Sequence, residues 1–135
     1  MTERKLLQEL TKQIKREAPG VVWEKLGDTF GGYKRLDVFA FWRHHGFIIE
    51  FKIQGNGLEV DQLNYLKRAS GSAYCFVASF FMPEGAKHCR AVRFQPIDRD
   101  GIIEGCEYVL TWERGRYINL AGLLPALLLL GYVAE

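Results

Sequence analysis

No stretch of this 135-residue sequence is both long and apolar enough to cross a bilayer. The best candidate, LAGLLPALLLLGYV at 120–133, is too short and carries Pro125, so it reads as a buried helix. A basic start followed by an apolar run and a small-residue cleavage site is also missing, and nothing marks the chain for secretion. The expectation is an intracellular, cytoplasmic protein of a prokaryote or phage, with no membrane partner. Cysteine is scarce. Cys75, Cys89 and Cys106 are odd in number and irregular in spacing, which fits inert thiols in a reducing compartment rather than a disulfide framework. His88 and Cys89 with Cys106 lack the tight paired spacing of a zinc site. Internal repeats and linkers are missing too. Net charge is small, and +2 points to no partner by itself.

What is present is a core. Apolar residues make up 48% and charged residues 25%, the balance of a folded domain rather than a disordered chain. The length suits one domain over 1–135. Basic residues fall in small clusters: KQIKR, YKR, Lys67 with Arg68, KHCR with Arg93, and ERGR. Such clusters are a solvated surface, unless the fold gathers them around acidic groups as a phosphate-binding face.

The apolar spacing predicts a helix in ERKLLQELTKQIKREAPG, with Thr2 as cap, Leu6, Leu7, Leu10 and Ile14 on one face, and Pro19-Gly20 as the stop. VVWEKL reads as a short strand and 27–35 as a Gly-rich loop. LDVFAFW (36–42) and GFIIEFKI (46–53) read as strands joined by the turn RHHG. LEVDQLNYLKRAS is helical, with Leu58, Leu63, Leu66 and Tyr65 as its apolar side and Gly71 closing it. AYCFVASFF (73–81) is a strand after a helical crossover, so it can pair in parallel with 47–53. CRAVRF and GCEYVLTW read as further strands, and LLPALLLL as a closing helix. That order predicts an α/β fold: a small mixed central sheet flanked by helices. The continuous apolar character of 47–53 and 73–81 places both strands at its centre.

Within IIEFKI, Glu50 and Lys52 share one face of the strand while Ile49, Phe51 and Ile53 share the other. A tight hairpin would set Asp37 beside Phe51 and Lys52, one position from Glu50. Two carboxylates and an ammonium at a sheet edge suit metal-assisted hydrolysis of a phosphodiester. The carboxylates Asp37 and Glu50, with the Phe51 carbonyl as a further oxygen, would hold Mg²⁺ or Mn²⁺. Lys52 would orient or deprotonate water, or offset charge on the phosphate. A half-buried ion network in a binding domain uses the same residues. Gln62, in the following helix, can reach the attacking water or a phosphate. Glu3 shares the apolar face of the first helix, where a carboxylate is out of place unless it points at the site; a solvated first-turn glutamate is the plain alternative. His44 and His45 are turn residues, on the surface or at phosphates. Trp23, Trp42 and Trp112 are core, or platforms for unpaired bases.

With these residues in view, LDVFAFWRHHGFIIEFKIQGNGLEVDQLNYLKRASG resembles the core of the PD-(D/E)xK nucleases, which have a restriction-endonuclease-like fold. Asp37, Glu50 and Lys52 match the family motif. The order of GDTFGGYKRLD, QGNGLEVDQLNYL and SGSAYCFVASF is most similar to the VRR-NUC nucleases, with likeness also to archaeal-type Holliday junction resolvases. The proline usual before the aspartate is Leu36 here, a change that holds no metal ligand. The resemblance implies a catalytic set of Asp37, Glu50, Lys52 and Gln62, with an N-terminal-helix glutamate at Glu3 or Glu9. It also implies a Mg²⁺- or Mn²⁺-dependent deoxyribonuclease acting on DNA, with four-way or other branched junctions as substrate and a homodimer as the working form. It covers residues 3–81; 82–135 match less well and would be a dimer element or a DNA-binding addition. Two rivals keep the fold without hydrolysis: a nucleic-acid-binding module, and a protein-interaction module working through the C-terminal helix.

Overall fold

The structure is a computed structural model that describes residues 2–25 and 37–134. The Gly-rich loop expected at 27–35, and Leu36, lie outside the described residues. The first helix, α1 (Glu3–Glu17), starts where the Thr2 hydroxyl accepts the Lys5 amide at 3.3 Å. Leu6, Leu7, Leu10 and Ile14 are buried along one face of it. It ends before Pro19, because the residue ahead of a proline is pushed out of the helical region. Strands β1 (Val22–Lys25), β2 (Val38–Trp42) and β3 (His45–Ile53) form an antiparallel ladder.

The β2–β3 turn is shorter than the sequence suggests. Arg43 and His44 alone make it, both at positive φ (48° and 68°), the backbone of a two-residue mirror-image turn. Glycine or asparagine normally signals that turn, and neither is present. Trp42 therefore pairs with His45 and Val38 with Ile49, which sets the Asp37 backbone opposite Glu50, one position short of the expected register, with its carboxylate still reaching the Phe51 amide.

Helix α2 (Val60–Ala69) then crosses to β4 (Tyr74–Phe81), which pairs in parallel with β3. The helix begins after Leu58, and its C-cap is Ser70 rather than Gly71. β5 (Ala91–Asp98), β6 (Gly101–Ile102), β7 (Tyr108–Glu113) and β8 (Arg116–Tyr117) add antiparallel strands. The strand order is β1-β2-β3-β4-β5-β7-β8, with β6 on β5. A 3₁₀ turn (Leu120–Gly122) leads into α3 (Leu123–Ala134). The fold is α/β, a curled mixed sheet flanked by helices.

One face of the sheet carries the main core. Phe47, Ile49 and Phe51 of β3 pack there with Phe76 and Phe80 of β4, beneath α1 and α3. Each such side chain is worth roughly 1.5–3 kcal/mol when fully buried. The buried Gln13 amide joins α1 to β8, donating to the Tyr117 carbonyl at 2.7 Å and accepting the Tyr117 amide at 3.0 Å. The opposite face has a smaller apolar cluster, Leu66 of α2 on Cys75, Val77 and Ile97. Glu50 and Lys52 belong to this second face. The closing helix turns most of its apolar surface inward: Leu123, Leu124 and Leu127 are core, while Leu129 stays exposed. No helix among the described residues is long and apolar enough to cross a membrane.

Candidate active site

β3 outruns β2. Val38 pairs with Ile49, so β3 continues through Phe51 and Ile53 with no β2 residue opposite. Amides there would be left without strand partners, and carboxylates take those places. The Phe51 amide donates to Asp37 Oδ2 at 2.8 Å. The Ile53 amide is near enough to the Glu3 carboxylate to favour its charged form. The Asp37 amide in turn donates to Glu50 Oε2 at 3.1 Å. The late start of β2 thus brings Asp37 onto Glu50, with Glu3 within electrostatic range of both.

Glu50 is only 2% exposed. Its Oε1 accepts the Gln62 side-chain amide at 3.0 Å and lies 3.7 Å from Lys52 Nζ. Gln62 is fixed from its other end, where its Oε1 accepts the Glu59 amide at 3.1 Å at the start of α2. The sequence suggested an amide aimed at water or phosphate; the structure turns it onto Glu50. Burial first, then the Asp37 carboxylate, push the Glu50 carboxyl up to about 9, with Lys52 pulling the other way. The Glu3 carboxyl is also raised, by burial and then by Asp37, against the lowering effect of Lys52 and the Ile53 amide. Glu9 lies elsewhere, within electrostatic range of Cys89 and Tyr117.

The donor set fits a hard divalent cation. Glu50 is buried, is raised by two neighbouring carboxylates and has one ammonium to offset them, so a further positive charge is what this cluster would take up. The N–H and C=O of one strand residue point the same way, so the Phe51 carbonyl faces the edge where Asp37 sits. Among the described residues, no group of three or more His, Cys, Asp or Glu side chains is placed to hold a metal. Two carboxylates and a carbonyl form an open set instead, and Mg²⁺ commonly keeps waters or substrate phosphate oxygens at its other positions.

The remaining candidates lie away from this point. Cys75 and Cys89 are buried thiols; burial pushes Cys75 up to about 12 and raises Cys89 as well. Trp23 is core, donating to the Thr11 hydroxyl at 3.1 Å. Trp42 lies under the Arg43 guanidinium, 4.9 Å from its ring, and Trp112 stacks with His88 at 5.7 Å. His44 and His45 sit at the far end of β3 from Lys52. Ser79 escaped the sequence reading. It pairs with Lys52 in the parallel register and with Arg93 in the antiparallel one, so the three form one row across the sheet. Only the register reveals it.

The chain is similar to Hjc of Archaeoglobus fulgidus, a Holliday junction resolvase from an archaeal hyperthermophile, with 21% identity and a TM-score of 0.48. The match covers 69% of this chain and 75% of the other. No family model and no curated protein matches the sequence.

Proposed function

We propose that this protein is a metal-dependent endonuclease of the PD-(D/E)xK type, hydrolysing phosphodiester bonds in branched DNA during recombination or repair. The observation that carries this reading is the meeting of Asp37 and Glu50 across the end of β2, with Lys52 3.7 Å from Glu50 on the same face. The order of Asp37, Glu50-x-Lys52 and Gln62 along the chain, similar to the VRR-NUC nucleases, supports it further.

In this reading Asp37, Glu50 and the Phe51 carbonyl hold Mg²⁺ or Mn²⁺. A cation held there would lower the pKa of a water and offset charge on the scissile phosphate. Lys52 orients that water or offsets the charge that builds on the phosphoryl oxygens. Gln62 keeps Glu50 aimed, and Glu3 adds a carboxyl beside Asp37 that can accept a proton. The rival reading, a binding module that keeps the fold without hydrolysis, draws on the donors that already satisfy Glu50: the Asp37 amide, Gln62 and Lys52.

Two cuts placed symmetrically on a junction call for two sites, and each chain supplies one. The exposed Leu129 and Tyr132 of α3 are the apolar surface offered for a homodimer. Incubating the protein and Mn²⁺ with a labelled four-way junction, and separately with linear duplex, tests the proposal. Preferential nicking of the junction, lost in D37N, supports it. Equal cutting of both substrates removes the junction specificity but keeps the nuclease, and no cutting in any divalent cation favours the binding module.

A further inference from the structure

The sheet face that carries Glu50 is covered by α2 only in part. Leu66 of α2 packs on Cys75, Val77 and Ile97, and Gln62 reaches Glu50. The next row along the strands, Lys52 of β3, Ser79 of β4 and Arg93 of β5, lies beyond that cluster. Openness grows across this row: the Lys52 side chain is 14% exposed and the Arg93 side chain 44%. Neighbouring strands are about 4.8 Å apart, so Arg93 stands roughly 10 Å from Lys52 across the sheet, a few nucleotides of backbone. Among the described residues Arg93 forms an ion pair with Glu107, whose carboxylate lies 3.6 Å from its Nε. That contact engages one edge of the guanidinium. The fork of the two terminal nitrogens is the part suited to a phosphate.

We propose that the nucleic-acid strand crosses the sheet along the Lys52–Ser79–Arg93 row, with Arg93 gripping a backbone phosphate near the scissile one and Glu107 competing for Arg93. This rests on the nuclease reading for the position of the scissile phosphate, but it concerns binding. The Ser79 hydroxyl lies between the two cations and donates to the same backbone. Glu107 is equally exposed at 46%, so its attraction for Arg93 is the modest one of a surface pair, and a phosphate can displace it.

The test is fluorescence anisotropy of a labelled DNA duplex with the full-length protein in EDTA, across a salt series, so that no cutting intrudes. Each phosphate contact contributes nearly one unit to the slope of log affinity against log salt, so R93A should flatten that slope by about one. The gap between R93A and wild type would then close about tenfold for each tenfold rise in salt. E107Q should bind more tightly than wild type at low salt, a gain that misfolding cannot mimic, and the gain should vanish in R93A/E107Q. An R93A protein with wild-type affinity and slope, an E107Q protein that binds no better, or a wild type that binds no duplex overturns the proposal. Wild-type protein that binds through Arg93 yet cuts nothing in Mn²⁺ removes the nuclease reading and leaves the phosphate grip standing.

Discussion

Asp37 and Glu50 face each other across the end of the β2–β3 ladder, the Asp37 amide donating to the Glu50 carboxylate at 3.1 Å. The pairing has two causes. The two-residue Arg43–His44 turn sets the register, and β2 begins only at Val38, leaving the edge of β3 to the acids. Position and electrostatics follow together, since the enclosure that aims Glu50 is also what burdens its charge.

That burden has a sign. With the Glu50 carboxyl raised to about 9 by burial and then by Asp37, the folded chain holds a proton that the unfolded chain gives up at the ordinary carboxylate value. The stability linked to this group is therefore full below that ordinary value and is lost as pH rises towards 9. In EDTA, E50Q should melt above wild type at about pH 8, and the difference should shrink as the pH falls towards 5. Thermal denaturation over that window checks it; a wild type that outlasts E50Q at the alkaline end contradicts it.

Lys52 should matter to turnover more than to binding. Its ammonium is the positive group nearest Glu50 in the cluster and is largely buried. K52A is expected to lose about 10²-fold or more in rate under saturating DNA, the scale of a positioned proton-transfer or charge-stabilising group. Single-turnover kinetics would show this as a slower chemical step with little change in DNA affinity. Wild-type turnover in K52A would take Lys52 out of the chemistry.

Gln62 should act through Glu50. Its amide is held by the Glu59 amide on one side and donates to Glu50 on the other. Residues that orient a metal ligand typically account for 10- to 100-fold in affinity or activity. Q62A should weaken Mn²⁺ binding by about that factor, while the fold persists by circular dichroism. Unchanged Mn²⁺ affinity in Q62A would make Gln62 a helix cap and nothing more.

Local pattern carried much of this structure. The periodicity of α1, the crossover through α2 and the shared face of Glu50 and Lys52 all follow from spacing along the chain. The register of β2 on β3 did not, because Arg43 and His44 adopt a left-handed backbone that non-glycine residues seldom take, so a longer turn looked natural. Glu3 and Glu9 had opposing cues in sequence, the E-x-x-L-L-x-x-L pattern for Glu3 and distance to the next strand for Glu9; in the fold Glu3 is within electrostatic range of Asp37 and Lys52, and Glu9 of Cys89 and Tyr117. The closing helix was legible as a helix but not in its orientation, since a run of leucines has no polar face to mark the outside. β6 and β8, two residues each, are too short to leave a pattern. Ser79 and Arg93 join the site's row through two strand pairings, which no local signal encodes.

Calorimetric titration of Mn²⁺ into wild type, D37N and E50Q asks most directly whether Asp37 and Glu50 share one cation. The expected result is a saturable site in wild type, tightening as pH rises because the Glu50 proton must leave, and its loss in both variants. Either variant binding Mn²⁺ as tightly as wild type would contradict a shared site at the end of β2.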